Sequence, residues 1–250
     1  MRVSLTRLWG LILLILAMAF LSGCLGNRDW QYPPYTSGAY LGPKADTVVP
    51  GNAIVLPLED LRGQGVKEEY WKATIPLVPY GDTMYERPEA AQNPEEVDVV
   101  RFDPSHDFAQ AIAAELSQAG IYSSVKYAQD DRQEPADVAF RGRLHSTKWK
   151  RRLYTYLLGP LAPLFWILGL PMSETTTGLE FDLRLTPVND PNKVLWRMTM
   201  DFEGKQLDSP YYGLEAAVES YPLALQEALK PAIADLVGLS KQDPGRLLPR

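Results

Sequence analysis

Three segments in the second half of the chain alternate apolar and polar side chains, and this pattern constrains the fold more than any other feature. Val138, Phe140 and Leu144 interleave with Arg141, Arg143 and His145. Leu179, Phe181, Leu183 and Leu185 interleave with Glu180, Asp182 and Arg184. Val194, Trp196, Met198, Met200 and Phe202 interleave with Arg197, Thr199, Asp201 and Glu203. Successive side chains of a strand point to opposite faces, so each segment reads as a half-buried strand with one core face and one polar face. The turn-rich run Pro187-Val188-Asn189-Asp190-Pro191-Asn192 joins the last two as a hairpin. Acids and arginines on the polar faces are expected to meet as modest cross-strand pairs.

Upstream, Ala53-Ile54-Val55-Leu56-Pro57-Leu58 reads as a buried strand. A loop-rich stretch over 59–96 follows, with a short strand expected at 73–78. Asp103 is placed to cap a helix with Pro104 in its first turn, and Phe108, Ile112, Leu116 and Ala119 fall on one face before Gly120. A strand is expected over 121–127. A second helix is read over 214–237, with a break near Pro222 or a kink at Pro231. The expectation is an α+β, two-layer sandwich: a mainly antiparallel four- to five-stranded sheet with two helices on one face, plus an apolar hairpin tip. This domain spans 51–238, with a flexible tail at 239–250. With 46% hydrophobic and 22% charged residues the chain can build a core of its own.

The amino terminus carries an address. Arg2 and Arg7 precede an apolar run from Leu8 to Phe20, which is short for a membrane span, and Leu21-Ser22-Gly23-Cys24 closes it on the only cysteine of the protein. This resembles the lipobox of bacterial lipoprotein precursors. The resemblance implies cleavage of the signal peptide at 1–23 and lipidation of Cys24. Each buried methylene contributes roughly 0.8 kcal/mol, so several acyl chains anchor stably. Leu25, where inner-membrane lipoproteins of Gram-negative bacteria carry Asp, implies the periplasmic face of the outer membrane rather than the inner membrane. Loss of Arg2 and Arg7 takes the net charge of −6 two units lower, which argues against nucleic acid as a partner. Residues 24–50, rich in Pro, Gly and Tyr, read either as an extended tether reaching several tens of ångströms or as an arm packed on the domain.

One segment does not suit an ordinary domain. Residues 153–173 contain no charged residue, and Lys148-Trp149-Lys150-Arg151-Arg152 stands immediately before them. Gly159, Pro160, Pro163, Gly169 and Pro171 divide the stretch into pieces too short to cross a bilayer as one helix. Lying between two strands that should pair, it reads as a hairpin tip with a short helix over 160–168. As a membrane-contacting tip it would place Tyr156 and Trp166 at headgroup depth, with Leu164, Phe165 and Ile167 also among the contact residues. Trp149, Lys150, Arg151 and Arg152 would then face phosphates. A homo-oligomer or envelope-partner interface, and a fold back into the core, are the competing readings.

Nothing in the sequence asks for an enzyme. Asp103, His106 and Asp107 are able to ligate a metal, but their place at a helix start accounts for them. His145 belongs to the polar side of a strand. No nucleophile elbow, Walker loop, dinucleotide fingerprint or zinc-protease motif occurs, so no catalytic residue, metal or cofactor is expected. The run from Asn52 to Asp60 followed by the helix from Phe108 to Leu116 resembles the small α/β domain of the curli-secretion lipoprotein and of the Tol-system amino-terminal domain. That resemblance spans about residues 50–238 and implies fold rather than activity. The expected function is that of a non-enzymatic envelope lipoprotein, an accessory in assembly, transport or integrity. The alternatives are an oligomeric secretion component and a periplasmic hydrolase or ligand binder.

Overall fold

The computed structural model describes residues 28–32, 42–91, 100–132, 134–211 and 217–249. The signal peptide and Cys24 lie outside them.

Among the described residues the fold is a large mixed sheet with two long helices on one face. The strands are β1 (Arg28–Asp29), β2 (Val49–Val55), β3 (Glu59–Asp60), β4 (Val66–Glu68), β5 (Tyr80–Tyr85), β6 (Val100–Arg101), β7 (Tyr122–Tyr127), β8 (Val138–Ser146), β9 (Trp149–Tyr154), β10 (Ser173–Pro187) and β11 (Trp196–Asp208). The helices are α1 (Pro104–Ala119), the short α2 (Pro163–Ile167) and α3 (Tyr221–Gln242). Nine strands form one sheet in the order β4-β5-β9-β10-β8-β2-β7, with β11 on β10 and β3 on β8, while β1 and β6 pair separately.

This corrects the expected four- to five-stranded, mainly antiparallel sheet. β2 pairs in parallel with both β7 and β8, and β3 with β8. The additional strands come from the loop-rich stretch and from the basic cluster. β9 pairs antiparallel with β5 and β10, so charge had masked a strand. The strand expected at 73–78 is instead a 3-10 turn at Tyr70–Thr74, followed by β5.

β10 organises the sheet. Along one side it pairs with β11 from Ser173↔Asp208 to Leu185↔Trp196. On the other side β9 takes its first residues and β8 its last. Leu179, Phe181, Leu183 and Leu185 face the helices and are buried with Phe140 and Leu144 of β8. α1 contributes Phe108, Ile112 and Leu116, and α3 contributes Tyr221, Leu225, Leu229, Ile233 and Leu236. Burying such a side chain contributes roughly 1.5–3 kcal/mol, so this layer carries the stability of the domain.

The ends of the helices refine the sequence reading. Asp103 makes no side-chain cap; its N–H donates to Asp107 Oδ2 at 2.7 Å. Gly120 closes α1 in the left-handed region with φ of 67°, a conformation glycine adopts freely. Pro222 stands in the first turn of α3 and Pro231 inside it. The chain remains ordered beyond the expected end at 238: Leu247 is fully buried and its carbonyl accepts from Tyr122 Oη at 3.0 Å.

The amino-terminal arm is packed on the domain where it is described. Trp30 is 8% exposed, donates from Nε1 to the Val218 carbonyl at 3.0 Å, and meets Phe102 and Phe108 at ring separations of 5.4 and 5.7 Å. Tyr32 donates from Oη to Glu115. Over residues 28–32 the packed-arm reading is the one that describes the chain; residues 24–27 and 33–41 lie outside the described residues. Only six residue steps separate Cys24 from a side chain locked in the core, a reach of about 20 Å.

Candidate functional site

The hairpin of β9 and β10 carries the uncharged segment as its tip, with Ser173 opposite Leu153 at its base. Pro160 and Pro163 each occupy the first turn of a short helix, where a missing N–H costs nothing, and the helix expected over 160–168 resolves into a 3-10 turn (Gly159–Leu161) and α2. Two further segments without charge join it. Leu77 N–H donates to the Leu157 carbonyl at 2.9 Å, Thr155 Oγ1 to the Val78 carbonyl, and Tyr211 Oη to the Ile167 carbonyl at 2.7 Å. Residues 73–81, 155–172 and 209–211 thus build one uncharged end of the molecule.

This end is exposed. Leu168 is 79% exposed, Leu77 78% and Ile167 64%, and Leu157, Leu161, Leu164 and Leu170 are open as well. Fold-back into the core is therefore excluded for these side chains. Trp71, Tyr80 and Tyr211, which combine apolar rings with polar atoms, are exposed nearby in the sequence of the same segments. Scattered exposed leucines are ordinary, but a cluster of this kind marks a contact surface.

The tip is held rigidly. Trp166 Nε1 donates to the Tyr154 carbonyl at 3.1 Å, Tyr156 Oη to the Pro171 carbonyl at 2.6 Å, and the Tyr156 and Phe165 rings lie 5.5 Å apart. Phe165, Trp166 and Tyr156 are thus half-buried struts. All three described non-glycine residues with positive φ belong here: Leu77 at 68°, Tyr156 at 53° and Leu157 at 65°. Such backbone costs of order 1–3 kcal/mol per residue and gathers where structure serves a task. Gly159, at φ 55°, leaves little room for a Cβ, which would stand 3.1–3.2 Å from backbone atoms of Pro76, Ile75 and Thr74.

The basic cluster lies in β9, at the base of the tip. Trp149 is buried beside Tyr85, with Arg151 stacked over its ring at 4.9 Å. Arg151 donates from Nε to Thr175 Oγ1 at 3.1 Å and lies 3.4 Å from Asp208 Oδ2. On the opposite face, Arg152 donates to Asp82 Oδ1 at 2.9 Å and covers Tyr80 at 4.3 Å, while Lys150 stands 3.8 Å from the same carboxylate. Burial pushes the Asp82 carboxyl up, but the Arg152 guanidinium outweighs it and holds the group below the usual carboxylate range. The cluster thus forms a collar under the tip in which Lys150 and Arg152 share the Asp82 carboxylate and Arg151 meets Asp208.

Beside the collar, between the helix-facing side of β10–β11 and the start of α3, lies a cleft of about 880 Å³. Val100, Trp149, Phe202, Pro222, Leu223 and Ala224 give it apolar walls, and Thr175, Arg151 and Asp208 line it with polar groups. Asp208 is 1% exposed; its Oδ2 accepts from Ser173 and Thr175 at 2.7 and 2.6 Å, while Oδ1 has no partner. Asp29, Trp30 and Gln31 of the packed arm form part of the same wall.

The histidines do not converge on this cleft. His106 is half-buried, and its Nδ1 lies 2.9 Å from Asp103 Oδ2. His145 meets Asp182, which also takes a two-pronged ion pair from Arg143 and one bond from Arg197, on the outer face of the sheet. Arg87 and Glu89 join Asp60 and the buried Arg62, while the Glu86 carboxylate accepts from the Gly65 N–H at 2.9 Å. No described helix is long and apolar enough to cross a membrane.

No family model matches the chain, and no curated protein does so either. Among solved structures it is similar to a Xanthomonas campestris protein of the DUF330 family, with 10% identity and a TM-score of 0.41, covering 82% of this chain and 94% of that one. It is also similar to the PelC dodecamer of Paraburkholderia phytofirmans, with 13% identity and a TM-score of 0.37, covering 76% and 92%. Likenesses of this size carry no functional argument.

Proposed function

We propose that this chain is a non-enzymatic envelope lipoprotein, anchored through Cys24 on the periplasmic face of the outer membrane, whose domain makes a second bilayer contact through its uncharged tip. The observation that carries this reading is the exposed aliphatic cluster built from three uncharged segments and fixed by strained backbone. Leucine side chains at such an end gain on leaving water, and ring-plus-polar residues such as Trp71 and Tyr211 suit the headgroup region. The packed arm adds to it, because a reach of about 20 Å keeps the domain beside the bilayer that holds the lipid. The role that fits is an accessory in envelope assembly, transport or integrity.

The test is liposome co-sedimentation of an unlipidated Cys24→Ala protein beside the same protein carrying Leu164→Ser, Ile167→Ser and Leu168→Ser. These three side chains point outward, so replacing them leaves the struts at Tyr156, Phe165 and Trp166 in place. Loss of binding with an unchanged unfolding midpoint supports the reading. A defined oligomer that the same substitutions dissolve, with no liposome binding by either protein, replaces it with a subunit interface.

A further inference from the structure

The cleft has no place in the membrane contact described above, and its position beside the arm gives it a specific candidate occupant. Asp29 lines it, and Asp29 is five residues from Cys24. Five extended residues span no more than about 18 Å, so whatever Cys24 carries is confined to the neighbourhood of the cleft mouth. The volume of about 880 Å³ lies within the range of small-molecule and lipid-sized sites. Its walls of Phe202, Pro222, Leu223 and Ala224 offer apolar surface along the start of α3 and the middle of β11.

We infer that the cleft receives one acyl chain of the lipid on Cys24. The inference rests on the lipidation reading of the amino terminus. The remaining chains of the same anchor stay in the bilayer, so the domain is held by its own lipid as well as by Trp30. Lys205 and Gln206, which also line the cleft, supply donors for the amide or ester carbonyl that follows the acyl chain into the mouth.

The experiment uses the full-length chain produced in a bacterium with an outer membrane and fed a fatty acid bearing a diazirine. After irradiation and digestion, mass spectrometry reads two things: the mass of the peptide that starts at Cys24, and the partners joined to peptides covering residues 202–208 and 219–226. The expected result is a lipidated amino-terminal peptide joined to one or both cleft peptides. Gln206→Trp, on an exposed position of β11, should lower that yield about fivefold or more by filling the space, and Leu168→Ser at the tip should leave it unchanged. A lipidated peptide with no link to the cleft overturns the inference alone, and so do cleft peptides joined only to phospholipid. An amino-terminal peptide without lipid overturns both the inference and the anchoring reading, so the two failures are told apart by mass.

Discussion

At one end of the sheet Leu179, Phe181, Leu183 and Leu185 are sealed beneath α1 and α3; at the other, Leu164, Ile167 and Leu168 stand in solvent. The two groups share residue types and are connected through a single strand, β10. They differ in what surrounds them. The sealed end alternates with charged residues, so its apolar face is defined and the helices cover it. The open end has no alternation and no cover, and paired charges at its base separate the two: Arg152 with Asp82 and Arg151 with Asp208. Apolar surface of the first kind is explained by folding. The second kind gains nothing for the isolated fold, so its explanation lies in a contact outside the domain.

The contrast can be broken most strongly from the sealed side. Phe140→Ala should cost about 3–5 kcal/mol in denaturant unfolding, because it empties a fully buried site among Tyr122 and Trp196. Trp30→Ala should cost somewhat less, about 2–4 kcal/mol, and should open residues 28–32 and 42–48 to limited proteolysis. That variant lengthens the tether, so proteolysis confined to the domain interior would contradict the packed arm.

A smaller effect belongs to the Arg62 network. Hydrogen bonds from Arg62, partly opposed by burial, hold the Asp60 carboxyl at about 2 against an ordinary 3.8. The folded form therefore prefers the ionised group. Its contribution is fully present above pH 4 and is lost as the pH falls towards 2, amounting to about 1–2 kcal/mol. Asp60→Asn should remove that part of the acid dependence in urea titrations between pH 5 and 2. Smallest of all, Leu168→Ala should change stability by no more than about 0.5 kcal/mol, since the side chain makes little contact in the fold.

Much of the sealed end was legible in the sequence. The alternation over β8, β10 and β11 and the 3.6-residue stripes of the helices are local signals that the tertiary structure keeps. The hairpin tip was legible too, since a proline-broken run between two pairing strands can hardly be anything else. The nine-stranded, partly parallel sheet was not. β9 reads as a basic cluster because its arginines are neutralised by Asp82 and Asp208, residues about 70 and 57 positions away, which no local pattern reveals. β4 and β5 are short and set among prolines and acids. Within the tip, the struts and the outward residues share one composition, and only the folded backbone separates Trp166 from Ile167. Leu77 was overlooked because its segment resembles a weak strand, although the absence of charge over 73–81 was available as a signal.

The account rests on the tip as a bilayer contact, and partition of the unlipidated protein tests it most directly. Cys24→Ala protein should co-sediment with liposomes of outer-membrane-like phospholipid, and the triple substitution Leu164→Ser, Ile167→Ser, Leu168→Ser should weaken that partition about tenfold or more. Its thermal midpoint should stay within a few degrees of the parent. Equal partition of the two proteins, or no partition of either, would contradict the account.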